Sequence, residues 1–532
     1  MASSLQVIGT WLLIVSYMSV ILYFVVRGAM KTKSMSDYAI GNMSFSPVLV
    51  GLSLAASMTS AATFVINPGF IANYGLAGFI SFGIVFPIGS LISLVVLTKS
   101  FQKYGQAIKA LTLAQWIGKR YNSNGYSLFM AFLSLLLITF IVLIIVALTK
   151  VLSKSLNVAE IYILIGLVVF VFGYMMFGGA NSMVYTNTIQ AGIMIVVAVI
   201  LLTSGYEHFS GGIDSFFAKL HSINPNLTTL TNANSPLFRD FFEIILCQFI
   251  VGIAVVCQPH IITKSLLLKS EKDVNKFLIV SVVAEILFFL VVFAGFYARL
   301  AFPDLTVDGI PLKNDGIIPA YVVSVFSNGT FSVVVGLLVV LGLISAGMST
   351  LEGLIQSVSS TITSDIIKPI WGNKIKTEKG LILANRITIA GLAIIAGIIS
   401  YDQLINPKLS VGLLAQNGVY AFFSAAFIPI LFGIFLKDVK LIAPLTASIV
   451  AIIVHFSIYY FLPLLVNEFG FEFGFFTKYL IGTIRNPAIA AASAIVISTI
   501  VGLAIHFFNK KSRKIWTILI GFLSGIFIHP TQ

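Results

Sequence analysis

A stripe of polar side chains follows one face of a long apolar segment near residue 350. Its members are spaced by four, three, four, four and three residues, so they lie along one side of a helix. In a segment that crosses a membrane such groups are costly in contact with lipid, so we expect the stripe to face protein or a water-filled path. Adjacent Ser349 and Thr350 offer hydroxyl oxygens, the hard ligands that a small cation prefers. The stripe consists of Ser345, Ser349, Glu352, Gln356, Ser360 and Thr363.

The same stripe has a second interpretation, because Ser and Thr side chains also hold membrane helices together through interhelical hydrogen bonds. The spacing alone leaves both interpretations open.

Acidic side chains add to the chemistry, since a carboxylate inside a membrane is expensive unless it is paired, protonated or hydrated. Glu285 and Glu352 both lie deep in apolar segments. Each is therefore a candidate for a functional role in coupling.

Two apolar segments are interrupted at matching places in the chain. One carries the polar run 57–63 and then Asn67-Pro68-Gly69, and the other carries Gly252 and then Cys257-Gln258-Pro259-His260. Transporters often bind substrate where two helices are broken at corresponding positions of two inverted halves. The alternative is coincidence, because Gly and Pro are more frequent in membrane helices than in soluble ones.

The composition defines the class of protein. Of the 532 residues 58% are hydrophobic and only 10% are charged, far below the charge of an ordinary soluble domain. This excludes a soluble enzyme and a disordered chain. We predict a single all-α transmembrane domain, 1–532, with thirteen or fourteen spans. The apolar runs are 5–26, 48–68, 77–98, 127–149, 158–178, 183–204, 238–258, 276–298, 330–363, 383–402, 412–436, 440–462, 487–508 and 515–528.

The basic residues predict the orientation of these spans. With the N-terminus outside, 23 of the 32 Lys and Arg residues fall in inner loops or at inner ends of spans. The net charge is +13, but the Lys and Arg residues form no continuous stripe interleaved with aromatic residues, so we expect no nucleic-acid partner. We expect a multi-pass protein of a plasma membrane of the bacterial inner-membrane type. The groups of basic residues predicted to face inside are Arg27–Lys33, Lys99–Arg120, Lys264–Lys276, Lys368–Arg386, Lys437–Lys440 and Lys510–Lys514.

Four stretches of the chain resemble the sodium:solute symporter family, which includes proline, pantothenate, sialic acid and sodium/glucose transporters. They are Ala55–Gly69 with its Pro-Gly end, Gly178–Met194, Ala346–Asp365 and Gln258–Ile261. The resemblance covers about the first eleven segments. It implies a leucine-transporter-like fold that works by alternating access. Its parts would be an extra helix (5–26), two inverted five-helix repeats (48–204 and 238–436) and C-terminal helices (440–532).

The resemblance also implies two sites at the broken helices. A sodium ion, the coupling ion, would bind between the second and ninth segments, to backbone carbonyls and two hydroxyls. The solute would bind at the break, against side chains of the second and seventh segments. Carried over by position, the sodium ligands would be Ala56, Thr59, Ala346, Ser349 and Thr350. The solute contacts would be Ser60, Thr63, Gln248, Val251 and Val255.

Two departures from the family pattern bear on coupling. Asn187 stands where the family usually has an acid, and Glu352 stands where the family is usually small or polar. We hypothesise that Glu352 supplies the missing carboxylate, as a cation ligand or a proton acceptor. Phe82 replaces a polar contact of the sialic acid branch, which disfavours an acidic sugar.

We expect sodium-coupled symport of a small organic solute, of the monocarboxylate, pantothenate or amino-acid class, across the lipid bilayer. One alternative is an uncoupled uniporter or channel of the same fold, in which Asn187 marks lost coupling. Another is a polytopic membrane enzyme with Glu352 or His455 as catalyst. The sequence offers no pairing of base and nucleophile for such an enzyme, so we expect a transporter.

Overall fold

The computed structural model describes residues 4–42, 45–327, 329–372, 375, 377–406 and 411–526, with side chains as far as residue 508. The predicted inner cluster Lys510–Lys514 lies outside the described side chains. The helix Pro487–Ile526 runs through the fourteenth apolar run without a break in its backbone. That run is therefore a continuation of the thirteenth segment as far as the structure describes it.

Within these residues, eleven helices are long and apolar enough to cross a membrane, and two bent helix pairs raise the number to thirteen. The predicted helical membrane architecture is confirmed, and we number these segments 1 to 13 in chain order. The bent pairs are segment 2, Pro47–Met58 with Ala62–Tyr74, and segment 7, Phe242–Val255 with Pro259–Leu267. The others are Ser4–Ala29, Leu76–Ala107, Asn124–Leu156, Glu160–Gly178, Ala180–Phe209, Glu271–Ala301, Thr330–Trp371, Glu378–Ile405, Val411–Phe435, Ile442–Phe469 and Pro487–Phe508.

Short elements connect the segments. One of them, the short helix Leu113–Arg120, makes contacts on two sides. Trp116 stacks on Phe101, with ring centroids 4.8 Å apart, and Arg120 Nε donates to Gly433 O at 2.8 Å. Its N-cap, Thr112, donates to the Asp365 carboxylate at 2.6 Å, which joins this helix to the end of segment 9. The other short elements are the helices Met35–Ile40, Gly212–Ile223 and Ile317–Val325 and the antiparallel strands Thr306–Val307 and Ile310–Pro311.

The breaks in segments 2 and 7 lie where the sequence predicts interruptions. The halves of segment 2 meet at 51° and those of segment 7 at 54°. In segment 2 the helix ends at Met58, and Thr59 adopts an extended conformation. In segment 7 Gln258 is extended, and Pro259 begins the next helix at a position where its missing N–H costs nothing. The first half of segment 2 packs against segments 6, 8 and 9.

Segments 3 and 7 cross closely at two glycines beside the break. A Cβ on Gly252 would lie 2.5 Å from Phe86 O, and one on Gly89 would lie 2.7 Å from Phe249 O. These contacts are with backbone atoms, which cannot move aside as a flexible side chain can. Gly is therefore required for the two helices to approach this closely.

We predict that Gly252→Ala destabilises the protein, because an added methyl group in a packed crossing costs about 1–3 kcal/mol. The measurement is the Tm of the purified protein in detergent. Gly192→Ala in segment 6 is the matched control, since a Cβ there meets no atom within 4 Å and Ala favours the helix. A Tm for Gly252→Ala equal to that of the control would contradict this account of the crossing.

Candidate sodium site and solute cavity

The end of the helix at Met58 leaves the carbonyls of its last turn without helical N–H partners. Segment 9 supplies partners for two of them. Ser349 Oγ donates to Ala56 O at 2.7 Å, and Thr350 Oγ1 donates to Ser57 O at 2.9 Å. The same hydroxyls lie 3.2 and 3.4 Å from Ala346 O. The break in segment 2 and the stripe on segment 9 thus meet at one cluster of oxygens.

This cluster has the composition of a sodium site. It contains three carbonyl and two hydroxyl oxygens from fully buried residues, and hard cations bind such oxygens. Thr59, the fifth predicted ligand, lies at the break itself, and its buried hydroxyl has no hydrogen-bond partner among the described residues. Of the five predicted ligands, Ala56, Ala346, Ser349 and Thr350 are joined by hydrogen bonds here. The carbonyl of Ser57, which was not predicted, also belongs to the cluster.

The whole polar stripe of segment 9 is buried within the protein, as predicted. The interpretation as helix-packing contacts holds at two positions. Gln356 donates to Ala39 O and Thr363 donates to Asn385 Oδ1, which are helix-packing contacts. Ser349 instead contacts the broken helix.

Glu352 accepts hydrogen bonds from two neighbouring segments. Tyr174 OH donates at 2.6 Å, Thr186 Oγ1 at 2.7 Å and Gln190 Nε2 at 3.2 Å. Both carboxylate oxygens of Glu352 therefore act as hydrogen-bond acceptors. Glu285, by contrast, is fully buried, and neither of its carboxylate oxygens has a hydrogen-bond partner among the described residues.

Asn187 lies between Glu352 and a lysine. An amide is oriented by its partners, and the orientation that satisfies both ends directs its oxygen to Lys264 Nζ at 3.0 Å and its nitrogen to Glu352 Oε2 at 3.0 Å. The assignment of Lys264 to an inner loop was wrong, because the residue lies in the second half of segment 7 with 3% exposure.

A cavity lies where the two breaks meet, beside the sodium-site residues. It is bounded by segments 2, 3, 4, 7, 8 and 11. None of the described residues that line it is Asp, Glu, Lys or Arg. Aromatic rings form much of its apolar wall. The polar lining residues are Ser60, Thr63, Asn67, Gln248, Gln258, His260, Gln416 and Tyr420, and the aromatic wall consists of Phe82, Phe86, Phe140 and Phe289.

Several polar atoms on this lining are buried without a hydrogen-bond partner among the described residues. Buried polar groups are normally paired, so a concentration of unpaired ones in a cavity indicates that a ligand pairs them. The free donor is Gln248 Nε2, and the free acceptors include Gln258 Oε1 and Asn67 Oδ1. Neither ring nitrogen of His260 has a partner.

Four of the five predicted solute contacts line the cavity, namely Ser60, Thr63, Gln248 and Val255. The fifth, Val251, is fully buried and is not among the lining residues. Sequence reasoning did not predict that Gln258 and His260 line the cavity, although it had identified their motif as a break.

The fold and these two candidate sites are typical of one class of protein: a membrane transporter with broken helices, in which an oxygen cluster lies next to a cavity. The sequence profile of the sodium:solute symporter family matches residues 38–450. The chain therefore belongs to that family, and it is a multi-pass membrane protein that carries out sodium-coupled solute symport. The expected resemblance is confirmed.

Characterised relatives cover most of the chain. The sodium/pantothenate symporter of Escherichia coli (strain K12) is 26% identical over 78% of this chain and 83% of the relative. The high-affinity proline transporter PutP of Bacillus subtilis (strain 168) is 24% identical over 75% of this chain and 81% of the relative. A solved Na+-coupled sialic acid symporter, in a substrate-bound outward-open state, has a TM-score of 0.70 at 18% identity and covers 93% of this chain and 97% of its own. This last likeness confirms the fold.

Proposed function

We propose that this chain carries a small monocarboxylate, of the pantothenate class, together with Na+ by alternating access. The observation that carries the proposal is the position of the two sites on one broken helix. Ala56 and Ser57 contribute to the oxygen cluster before Thr59, and Ser60 and Thr63 line the cavity after it. An ion bound before the break fixes the backbone that presents the hydroxyls to the solute.

Sodium is the coupling ion in this proposal, held by Ala56, Thr59, Ala346, Ser349 and Thr350 together with the carbonyl of Ser57. These groups come from segments 2 and 9, so the ion joins two segments. When the ion leaves, this bridge between the segments is lost, and only direct contacts, such as the two hydroxyl hydrogen bonds, continue to join them. Loss of the ion and movement of the broken helix are thereby linked.

The chemistry of the cavity supports a monocarboxylate with a neutral remainder. Ser60, Thr63 and the free Gln248 amide can donate to a carboxylate, and Gln258 and Asn67 can accept from hydroxyl or amide groups. The similarity to pantothenate symporters agrees with this chemistry. An amino acid is the second choice, because no described lining residue is an acid that could pair with its ammonium group. An acidic sugar is disfavoured, since Phe82 and its aromatic neighbours form the wall.

A stability screen of purified protein tests the proposal. Small organic solutes are added in sodium chloride or in potassium chloride, and the Tm is measured. A ligand that binds only the native state raises the Tm, and here the largest rise should need both sodium and a monocarboxylate. An equal rise in potassium would favour the alternative, an uncoupled uniporter of the same fold.

Orientation and location belong to the same proposal. The charge distribution favours a plasma membrane of the bacterial inner-membrane type, with the N-terminus outside. Single cysteines placed in the loops and labelled with a membrane-impermeant maleimide test this orientation. A cysteine at position 269 should be protected in intact cells, and one at position 219 should be labelled.

We predict that Glu352→Gln alters the sodium dependence and the pH profile of transport, because the amide replaces a carboxylate oxygen that accepts from Tyr174 or Thr186. The measurement is initial uptake against sodium concentration at several pH values. Glu285→Gln is the matched control, since it removes an intramembrane acid that makes no hydrogen bond with the described residues. Unchanged sodium and pH profiles in Glu352→Gln would reject a coupling role for Glu352.

A further inference from the structure

Lys264 places an ammonium group inside the protein, in the second half of a broken membrane segment. A buried charge in a membrane is expensive unless it is paired and hydrogen-bonded. Lys264 Nζ donates to Ser53 O at 2.7 Å, to Ser53 Oγ at 2.8 Å and to Ser57 Oγ at 2.6 Å. The Asn187 amide oxygen lies 3.0 Å away as a fourth oxygen. The ammonium thus occupies a site built entirely of oxygen atoms, the environment of a bound cation.

The charge of Lys264 is balanced by Glu352. The two groups interact electrostatically, and the Asn187 amide bridges them, with its oxygen on the lysine and its nitrogen on the carboxylate. The donors that surround the carboxylate, Tyr174 and Thr186, are neutral. Lys264 is therefore the positive partner that the structure offers to this buried carboxylate.

The ammonium site and the oxygen cluster of the sodium site share one residue. Ser57 Oγ accepts from Lys264, while Ser57 O accepts from Thr350. A cation at the ammonium site and a cation at the sodium site would therefore both interact with the same turn of segment 2.

We propose that the Lys264 ammonium is a tethered cation that takes the place of a second bound cation beside the sodium site. Glu352 and Asn187 are the two departures from the family pattern. In this arrangement they form a cation site that is filled by the Lys264 side chain. The inference rests on the proposed sodium site. Its consequence is that the wild-type chain binds one Na+, whereas a chain without the lysine gains a second site.

The test is a sodium titration of the purified full chain, read as the Tm, with choline chloride at constant ionic strength. Wild type should follow a one-site curve. Lys264→Ala empties the oxygen site and leaves Glu352 uncompensated, so its curve should become cooperative, with a Hill coefficient above about 1.5. Lys264→Ala/Glu352→Gln should return to the one-site curve, because the charge that attracts the second ion is gone. Lys269→Ala, an exposed lysine on the same stretch, is the matched control and should behave as wild type.

A one-site curve for Lys264→Ala, identical to that of wild type, would overturn the proposal. If Lys264→Ala fails to fold, the double variant decides: recovery of folded protein supports the charge pair, and continued failure rejects it. Failure of the proposed function gives a different result. A wild-type chain that shows no difference between sodium and choline rejects the sodium site, while a sodium response that appears only in Lys264→Ala still supports the tethered cation.

Discussion

Thr350→Ala is expected to shift the sodium dependence of uptake to much higher sodium concentrations. The Thr350 hydroxyl joins segment 9 to Ser57 O and lies 3.4 Å from Ala346 O. Its removal deletes one oxygen ligand and breaks the link across the site. The loss of a ligand to a charged group costs about 1.5–3 kcal/mol, so the sodium concentration for half-maximal uptake should rise about tenfold to a hundredfold.

The measurement for Thr350→Ala is initial uptake against sodium concentration at saturating solute. Thr361→Ala is the matched control, because Thr361 is a buried threonine of the same helix and its hydroxyl donates to Ser357 O one turn away. The control should keep the sodium dependence of wild type. A Thr350→Ala variant with the same half-saturating sodium concentration as the control would mean that the oxygen cluster is a packing contact.

Gln248→Leu is expected to weaken solute binding while sparing sodium binding. The Gln248 side-chain nitrogen is a buried donor on the cavity wall with no partner among the described residues, so a bound solute is its natural acceptor. Leucine keeps a similar volume but removes the donor. Loss of a hydrogen bond to a carboxylate should raise KM for the solute about tenfold to a hundredfold.

The measurement for Gln248→Leu pairs KM for the solute with the sodium-induced rise in Tm in the absence of solute. Thr98→Val is the matched control, since the Thr98 hydroxyl is also buried and unpaired among the described residues but lies outside the cavity lining. The control should keep KM. An unchanged KM in Gln248→Leu would place the solute elsewhere, and a lost sodium response would show that the whole site had collapsed.

The broken helices were predictable because their signals are local. The polar run before Asn67-Pro68-Gly69 and the Gln258-Pro259 pair interrupt apolar stretches. A helix that continued through the prolines would lose backbone hydrogen bonds. The break in segment 2 falls at Thr59, inside the polar run 57–63, and Pro68 lies within the second half of the segment, Ala62–Tyr74. The stripe on segment 9 was also predictable, since helical spacing alone places its members on one face.

Other parts of the site depend on partners that are distant in sequence. Lys264 precedes Lys269 and Lys272 and so resembles part of an inner loop, but its acceptors Ser53 and Ser57 lie more than 200 residues away. Tyr420 joins the cavity from segment 11, and no spacing pattern marks it. Such contacts are created by the packing of the broken helices.

Thermodynamics sets the scale of the accumulation that coupling should produce. One Na+ moving down a tenfold gradient supplies about 1.4 kcal/mol, and a potential of −100 mV adds about 2.3 kcal/mol for each net charge. For a neutral solute the two terms allow roughly 500-fold accumulation. A monocarboxylate carried with one Na+ moves no net charge, so only the sodium gradient acts and the limit is about tenfold.

The most direct test of sodium-coupled symport is uptake of a radiolabelled monocarboxylate, with pantothenate as the probe, into proteoliposomes that contain the purified chain. An inward sodium gradient is compared with an equal choline gradient. We predict transient accumulation above the external concentration, by up to about tenfold, with sodium only. Solute that merely equilibrates, at the same rate in sodium and in choline, would contradict coupling and identify the chain as a uniporter.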